Sequence, residues 1–321
     1  MIWCSKYTAC EMPSDALLSD LRSLVSNDLP ARLPGTVAFI IGANPSKGAR
    51  SPKLWNAAFA ARGIDGKMFA LDVTNENLAA VLRVLEGDPR VVGAAVAAPY
   101  KADFAQLLAG HLSATARHCG SINLLSREAN RASGTQKSAA SRHFSGSNTD
   151  GIAAVESLRE VRADFARTPV MVLGCGGTGR AVIASLLNDM KPANLTVAIR
   201  NARHRAWLDS LGVAACSATL DDTDLTRPRV LVNCTTVGWG SDADKSPLNA
   251  AQLANLHAEC TVFDVIYQPD PTLLLQRAKA RGLTTLSGSR MNLLQAVIAF
   301  TTANKGADRQ KVAAAMQKAA G

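Results

Sequence analysis

VMVLGCGGTGRAVIASLL, residues 170–187, runs from a short apolar stretch through a glycine-rich turn into a helical pattern. Val170–Leu173 reads as a buried strand, Gly174–Gly179 as the turn, and Ala181–Leu187 as helix. Strand, glycine turn and helix in that order make a dinucleotide-binding unit. Glycines permit the tight turn, and backbone N–H groups at the helix start can approach a pyrophosphate. Gly174, Gly176, Gly177 and Gly179 give the spacing G-x-G-G-x-G, one glycine more than the commonest G-x-G-x-x-G. An ordinary strand–helix turn made permissive by glycine is the plainer alternative, and the flanking strand and helix favour the cofactor. The next strand names the nucleotide. NAD sites place a carboxylate about 20 residues beyond the glycines. Here LTVAI, residues 195–199, ends in RNARHR, with Arg200, Arg203 and Arg205 and no acid. Forked guanidinium donors suit a 2′-phosphate, so NADP is expected.

Working outward, strand and helix alternate on both sides. Towards the N-terminus VAFIIG (37–42), KMFALDV (67–73) and VVGAAVAAP (91–99) read as strands. SPKLWNAAFAARGI (51–64), NENLAAVLRVLEG (75–87) and KADFAQLLAGHLSATARHCG (101–120) read as helices. Towards the C-terminus RVLVNCTT, CTVFDVIY and GLTTLS are further strands, and two helices near 289–303 and 308–319 end the chain. The fold class is α/β with parallel sheets. Residues 1–35 look like an appended helix (Ser14 to Leu24) followed by a Pro-punctuated link, and the polar residues 126–147 read as a long loop.

A chain of 321 residues, 47% hydrophobic and 19% charged, has room for two domains and excludes disorder. No stretch approaches the roughly 20 apolar residues of a membrane span. Neither a secretory signal nor a membrane partner is expected. Seven cysteines, none in C-x-x-C spacing, suit a reducing cytoplasm without disulfide frame or zinc site. The net charge of +9 comes from scattered Lys and Arg, which favours small anionic ligands over nucleic acid. Five scattered histidines offer no ligand spacing, so no metal is expected.

Lys101, just after a buried strand, and Asp150, between loop and helix, are a second candidate constellation. Each has a dull reading, a surface lysine and an N-cap carboxylate.

The order of motifs resembles the shikimate/quinate dehydrogenase family across residues 37–303. SPKLWN is similar to S-P-x-x-H-N, with Trp55 for His, and VAAPYK to V-T-x-P-x-K. GSINLL resembles G-A-x-N-T-L, and SNTDG contains N-T-D-G. GCGGTGRA resembles G-A-G-G-A-x-R-A, and NCTTVGW resembles N-A-T-P-x-G-M. FDVIYQPDPTLLL resembles D-x-x-Y-x-P-x-x-T-x-L, and SGSRMNLLQAVIAF the closing D-G-x-x-M-L-x-x-Q-A-x-x-A-F.

The resemblance implies an N-terminal α/β substrate domain over 1–150, completed by helices 289–321. A Rossmann-like NADP domain over 151–288 would face it across a cleft. It places Lys101 and Asp150 as catalytic, and Ser51, Asn123, Tyr267 and Gln295 against a small cyclic hydroxy acid. Gly174, Gly176, Gly177, Gly179, Thr235, Val265 and Gly288 fall at cofactor positions; around the 2′-phosphate Arg200 and Asn201 compete for one position, with Arg203 beside them. A quinate- or aminoshikimate-like substrate is the runner-up, and a non-catalytic NADP-binding sensor the reading of another class. Departures concern the substrate cage. Ala49, Ala95 and Ala97 replace a serine, an asparagine and a threonine of the family pattern. Arg50 is expected to meet a differently angled carboxylate, and Tyr100 to offer the ring an aromatic face.

Overall fold

The structure, a computed structural model, describes residues 15–127, 143–162, 164 and 167–320. It contains two sheets. The first begins with α1 (Ala16–Arg22), β1 (Thr36–Gly42), α2 (Ser51–Ala61), β2 (Gly66–Asp72), α3 (Leu78–Gly87) and β3 (Val91–Val96). It continues with α4 (Lys101–Leu107), α5 (Ala114–Cys119), β4 (Leu124–Arg127) and β5 (Phe144–Ser147). Its strand order is β2-β1-β3-β4-β5. Pairing is parallel across β2-β1-β3 and antiparallel from β3 to β4 and from β4 to β5. The expected parallel sheet is therefore its first three strands only, and the stretch read as a loop over 126–147 is bracketed by a strand pair. Residues 128–142 of that stretch lie outside the described residues. The single helix expected over 101–120 is two, because Ser113 caps a fresh start by accepting from the Ala116 N–H (3.2 Å).

β1 explains its own composition. Val37, Phe39 and Ile41 pack with Leu17, Leu18 and Leu21 of α1 and Val81, Leu82 and Leu85 of α3. Ala38 and Ile40 pack on the opposite face with Trp55, Phe59, Val297 and Phe300. A strand covered on both faces needs an unbroken apolar run, because side chains alternate between the faces.

The second sheet follows α6 (Asp150–Val161): β6 (Pro169–Leu173), α7 (Gly177–Ser185), β7 (Asn194–Ile199), α8 (Arg205–Ser210) and β8 (Ala214–Ser217). Then come β9 (Val230–Asn233), α9 (Ala250–Ala254), β10 (Thr261–Asp264), α10 (Leu273–Ala280) and β11 (Thr284–Ser287). The order is β11-β10-β9-β6-β7-β8, all parallel. Strand order reverses between β6 and β9, and the crevice at the carboxyl ends of such a pair is where open α/β sheets take ligands. The chain closes with α11 (Gly288–Ala303) and α12 (Arg309–Ala320). α11 returns to the first sheet, where Phe300 meets Trp55 and Phe59 edge-on at 5.2 and 5.0 Å between ring centroids. Among the described residues, no helix is long and apolar enough to cross a membrane.

Candidate active site

Pro99 ends the extended run after β3, and Lys101 opens α4 at the sheet's carboxyl edge. Asp150 opens α6, and the preceding Thr149 stands at the cap position, so the carboxylate is not the N-cap of its dull reading. The two side chains meet: Lys101 Nζ donates to Asp150 Oδ2. Both are sheltered, with side chains 16% and 7% exposed.

The carboxylate is held from several sides. Asn123 Nδ2 donates to Asp150 Oδ1 (2.7 Å), and the Asp150 N–H donates to Asn148 Oδ1 (2.9 Å). Asn123 Oδ1 accepts from the Thr149 N–H (2.8 Å), and Asn148 Nδ2 donates to the Ser121 carbonyl (3.1 Å). Thr149 Oγ1 donates to the Gln295 carbonyl (3.2 Å), tying the site to α11. Ser121, Asn123, Asn148, Thr149 and Asp150 are all buried. Buried polar groups that are satisfied by one another hold a single geometry.

Gly174, Gly176, Gly177 and Gly179 lie where β6 turns into α7. Gly174 has φ +92°, and a Cβ there would stand 2.9 Å from Thr235 Cγ2. Only glycine allows the turns after β6 and β9 to approach so closely. Thr235 is itself fixed by bonds to Asn233 Oδ1 from its N–H (3.0 Å) and hydroxyl (2.7 Å). Gly176 is exposed at the start of α7 with open space beyond it. A nucleotide pyrophosphate fits there against the helix N-terminus. Gly288 opens α11 against the Val265 carbonyl. Arg200, Asn201 and Arg203 are exposed beyond β7, beside the glycine turn, with Asn201 Oδ1 accepting from the Arg203 N–H (3.0 Å).

Ser51 is buried at the start of α2. The Arg50 guanidinium lies over the Tyr267 ring, 5.7 Å from its centroid, and reaches the Ala320 carbonyl at 3.3 Å. Burial raises the Tyr267 hydroxyl above its ordinary pKa, Arg50 pulls it down, and Asp150 pushes it up. Tyr267 thus stands in the field of both groups. Gln295 contributes its carbonyl to Thr149, while its side chain bonds within its own helix to the Asn292 carbonyl (3.0 Å).

Tyr100 does not face a ligand. It is buried in the first core and donates to the Val73 carbonyl (2.8 Å). The expected aromatic face is spent on packing, because a tyrosine with its hydroxyl satisfied inside is a core residue. Thr178 meets the pair as well, although within GCGGTGRA only the glycines draw attention. Its hydroxyl lies 3.2 Å from Lys101 Nζ and 3.2 Å from Asp150 Oδ2. These contacts span 77 and 28 residues of chain, and no local pattern encodes them. Asn148 and Thr149 carry a signal in the sequence, being the first two residues of NTDG.

Residues 40–125 match the family model described as the shikimate dehydrogenase substrate binding domain. The chain is 32% identical over 263 residues to a shikimate dehydrogenase (NADP(+)) of Exiguobacterium sp. (strain AT1b), covering 81% of this chain and 90% of that protein. The chain belongs to the shikimate dehydrogenase family. The shikimate dehydrogenase (NADP(+)) of Rhodospirillum rubrum is 33% identical over 273 residues, covering 83% of this chain and 89% of its relative. Among solved structures, a shikimate 5-dehydrogenase of Thermus thermophilus in complex with NADP(H) and shikimate superposes with a TM-score of 0.73. It has 25% sequence identity and covers 88% of this chain and 99% of that one. Family membership agrees with the order of motifs from SPKLWN to SGSRMNLLQAVIAF.

Proposed function

We propose that this chain is an NADP-dependent oxidoreductase of the shikimate dehydrogenase type, interconverting a cyclic hydroxy acid and its keto form. The Lys101–Asp150 contact carries the reading: an ammonium and a carboxylate, both sheltered, with the glycine turn beside them. NADP, when bound, supplies or takes the hydride at the carbon that changes oxidation state. The residues suited to hold it are Gly174, Gly176, Gly177, Gly179, Thr235, Val265 and Gly288, with Arg200, Asn201 and Arg203 at the 2′-phosphate.

Lys101 acts as the general acid. Its ammonium donates a proton to the carbonyl oxygen as that oxygen gains negative charge, and takes it back in the reverse direction. Asp150 accepts from the ammonium and orients it, and it can take the substrate hydroxyl as a further donor. Asn123 fixes the carboxylate through Oδ1, leaving Oδ2 for the lysine. Ser51, Tyr267 and Gln295 are assigned to the substrate. The substrate domain comprises 1–150 with 289–321, and the NADP domain 151–288. Scattered cations and unpaired cysteine spacing support a cytoplasmic protein with a small anionic substrate and no nucleic-acid partner.

The test is turnover of shikimate, quinate and related cyclic hydroxy acids by purified protein with NADP, followed through nicotinamide absorbance. Lys101→Met should reduce kcat by about 10²- to 10⁴-fold, the usual worth of an acid/base group. NADP affinity should stay nearly unchanged, because Lys101 opens α4, which follows β3 of the first sheet. Near-normal turnover in the variant would refute the assignment.

A further inference from the structure

Thr178 stands second in α7, directly after Gly177, where the family motif G-A-G-G-A-x-R-A has alanine. Its hydroxyl lies between the two charged groups at 3.2 Å from each. An ammonium can only donate and a carboxylate can only accept. The Thr178 hydroxyl therefore accepts from Lys101 and donates its one proton to Asp150, so both of its functions are used. Lys101 enters from α4 and Asp150 from α6, whereas Thr178 belongs to the first turn of α7, directly after the glycine turn. The backbone is close as well: a Cβ on Gly177 would stand 3.0 Å from Ser121 Oγ and 3.4 Å from Lys101 Cβ. With Asp150 and Thr178 served, one of the three ammonium N–H groups is left for a substrate oxygen.

We infer that Thr178 is a positioning residue that ties the glycine turn to the Lys101–Asp150 pair. The inference rests on the acid/base reading of that pair. A nucleotide seated on the turn fixes the backbone of α7's first turn, and through the hydroxyl it fixes the direction of the ammonium. Loss of the hydroxyl leaves binding intact and misdirects the proton, which lowers kcat rather than raising KM.

The experiment compares wild type, Thr178→Val, Thr178→Ser and Lys101→Met on whichever of shikimate or quinate the wild type turns over faster. Thr178→Val keeps the side-chain shape and should lose about tenfold in kcat, the scale of one hydrogen bond to a charged group. Its KM and NADP affinity should stay within about twofold, and Thr178→Ser should return kcat to within about threefold of wild type. A second arm needs no substrate: acetylation of Lys101 by acetic anhydride, read by mass spectrometry against exposed Lys53 in the same sample. Lys101, with one acceptor lost, should label about threefold faster in Thr178→Val and normally in Thr178→Ser. Unchanged labelling in Thr178→Val overturns the inference. So does unchanged kcat in that variant alongside an inactive Lys101→Met, or failure of serine to rescue. An active Lys101→Met refutes the acid/base reading instead, and the labelling arm still decides whether Thr178 holds the ammonium.

Discussion

Asp264 ends β10 wholly buried, and its carboxylate joins three segments of the NADP-side sheet. It accepts from Asn233 Nδ2 (3.0 Å), from the Ile266 N–H (3.1 Å) and from Thr272 Oγ1 (2.8 Å). Asn233 in turn holds the Thr235 turn, and Thr272 caps α10. Burial nevertheless dominates and pushes the carboxyl from 3.8 up to about 6, against the pull of these three donors. Between about pH 4 and pH 6 the folded state binds more protons than the unfolded chain, so stability falls as pH rises through that window and levels above it. The full shift corresponds to about 3 kcal/mol. Asp264→Asn keeps an oxygen for Ile266 and Asn233, lets the Thr272 hydroxyl turn to accept, and removes the charge. Urea unfolding from pH 4 to pH 7 should show wild type losing about 2.5 kcal/mol relative to Asp264→Asn. Parallel pH curves for the two proteins would refute the account.

The segment after β7 places cations at the start of a helical stretch, against the helix dipole, which is a misplacement unless an anion joins them. Arg200 and Arg203 are exposed there, next to the turn that begins at Gly174. Replacing both by Ala should weaken NADP more than NAD by about 1–3 kcal/mol, as measured by titration calorimetry with each nucleotide. Equal losses would show that neither guanidinium reads the 2′-phosphate. Elements of this kind were legible because their signals are local: an apolar run, a glycine turn, a capped amphipathic stretch. β4 and β5 were not, since LLSR and FSGS are four residues each and owe their strand form to pairing with each other. β8 escaped for the same reason, a four-residue edge strand with no fully buried position. The break between α4 and α5 was written in Gly110 and Ser113, but the apolar residues around it outweighed them.

Across the whole molecule, the Lys101–Asp150 contact joins two motifs that each carry a charged residue at an element start, so both residues stood out in the sequence. What brings Thr178 to them, and Arg50 to Tyr267, is the packing of separate elements, which no short motif records. The same packing fixes three alanines that the family resemblance puts at substrate positions. Ala49, Ala95 and Ala97 are partly buried and rest against the cluster of Trp55, Phe59 and Phe300 that joins α2 to α11. Ala97 also lies where a Cβ on Gly42 would be 3.1 Å away, so there is little slack behind it. Where the family pattern has a serine, an asparagine and a threonine, this wall has only methyl groups backed by apolar packing. A carboxylate or hydroxyl turned towards it gives up water without gaining a partner, at about 1–3 kcal/mol per group. Three such losses could reach a thousandfold or more if they added, and neighbouring losses add incompletely. Arg50, held over Tyr267, offers a forked cation to an acid at a different angle. Shikimate itself is therefore expected to be a poor substrate, with kcat/KM below the common range that begins near 10⁴ M⁻¹s⁻¹. Ala49→Ser combined with Ala97→Thr should raise that efficiency, because it returns two hydroxyls to the wall. Steady-state comparison of shikimate with quinate and other cyclic hydroxy acids at fixed NADP decides the matter. Shikimate turnover within the common range in the unaltered protein would mean that backbone groups or ordered water make the missing contacts.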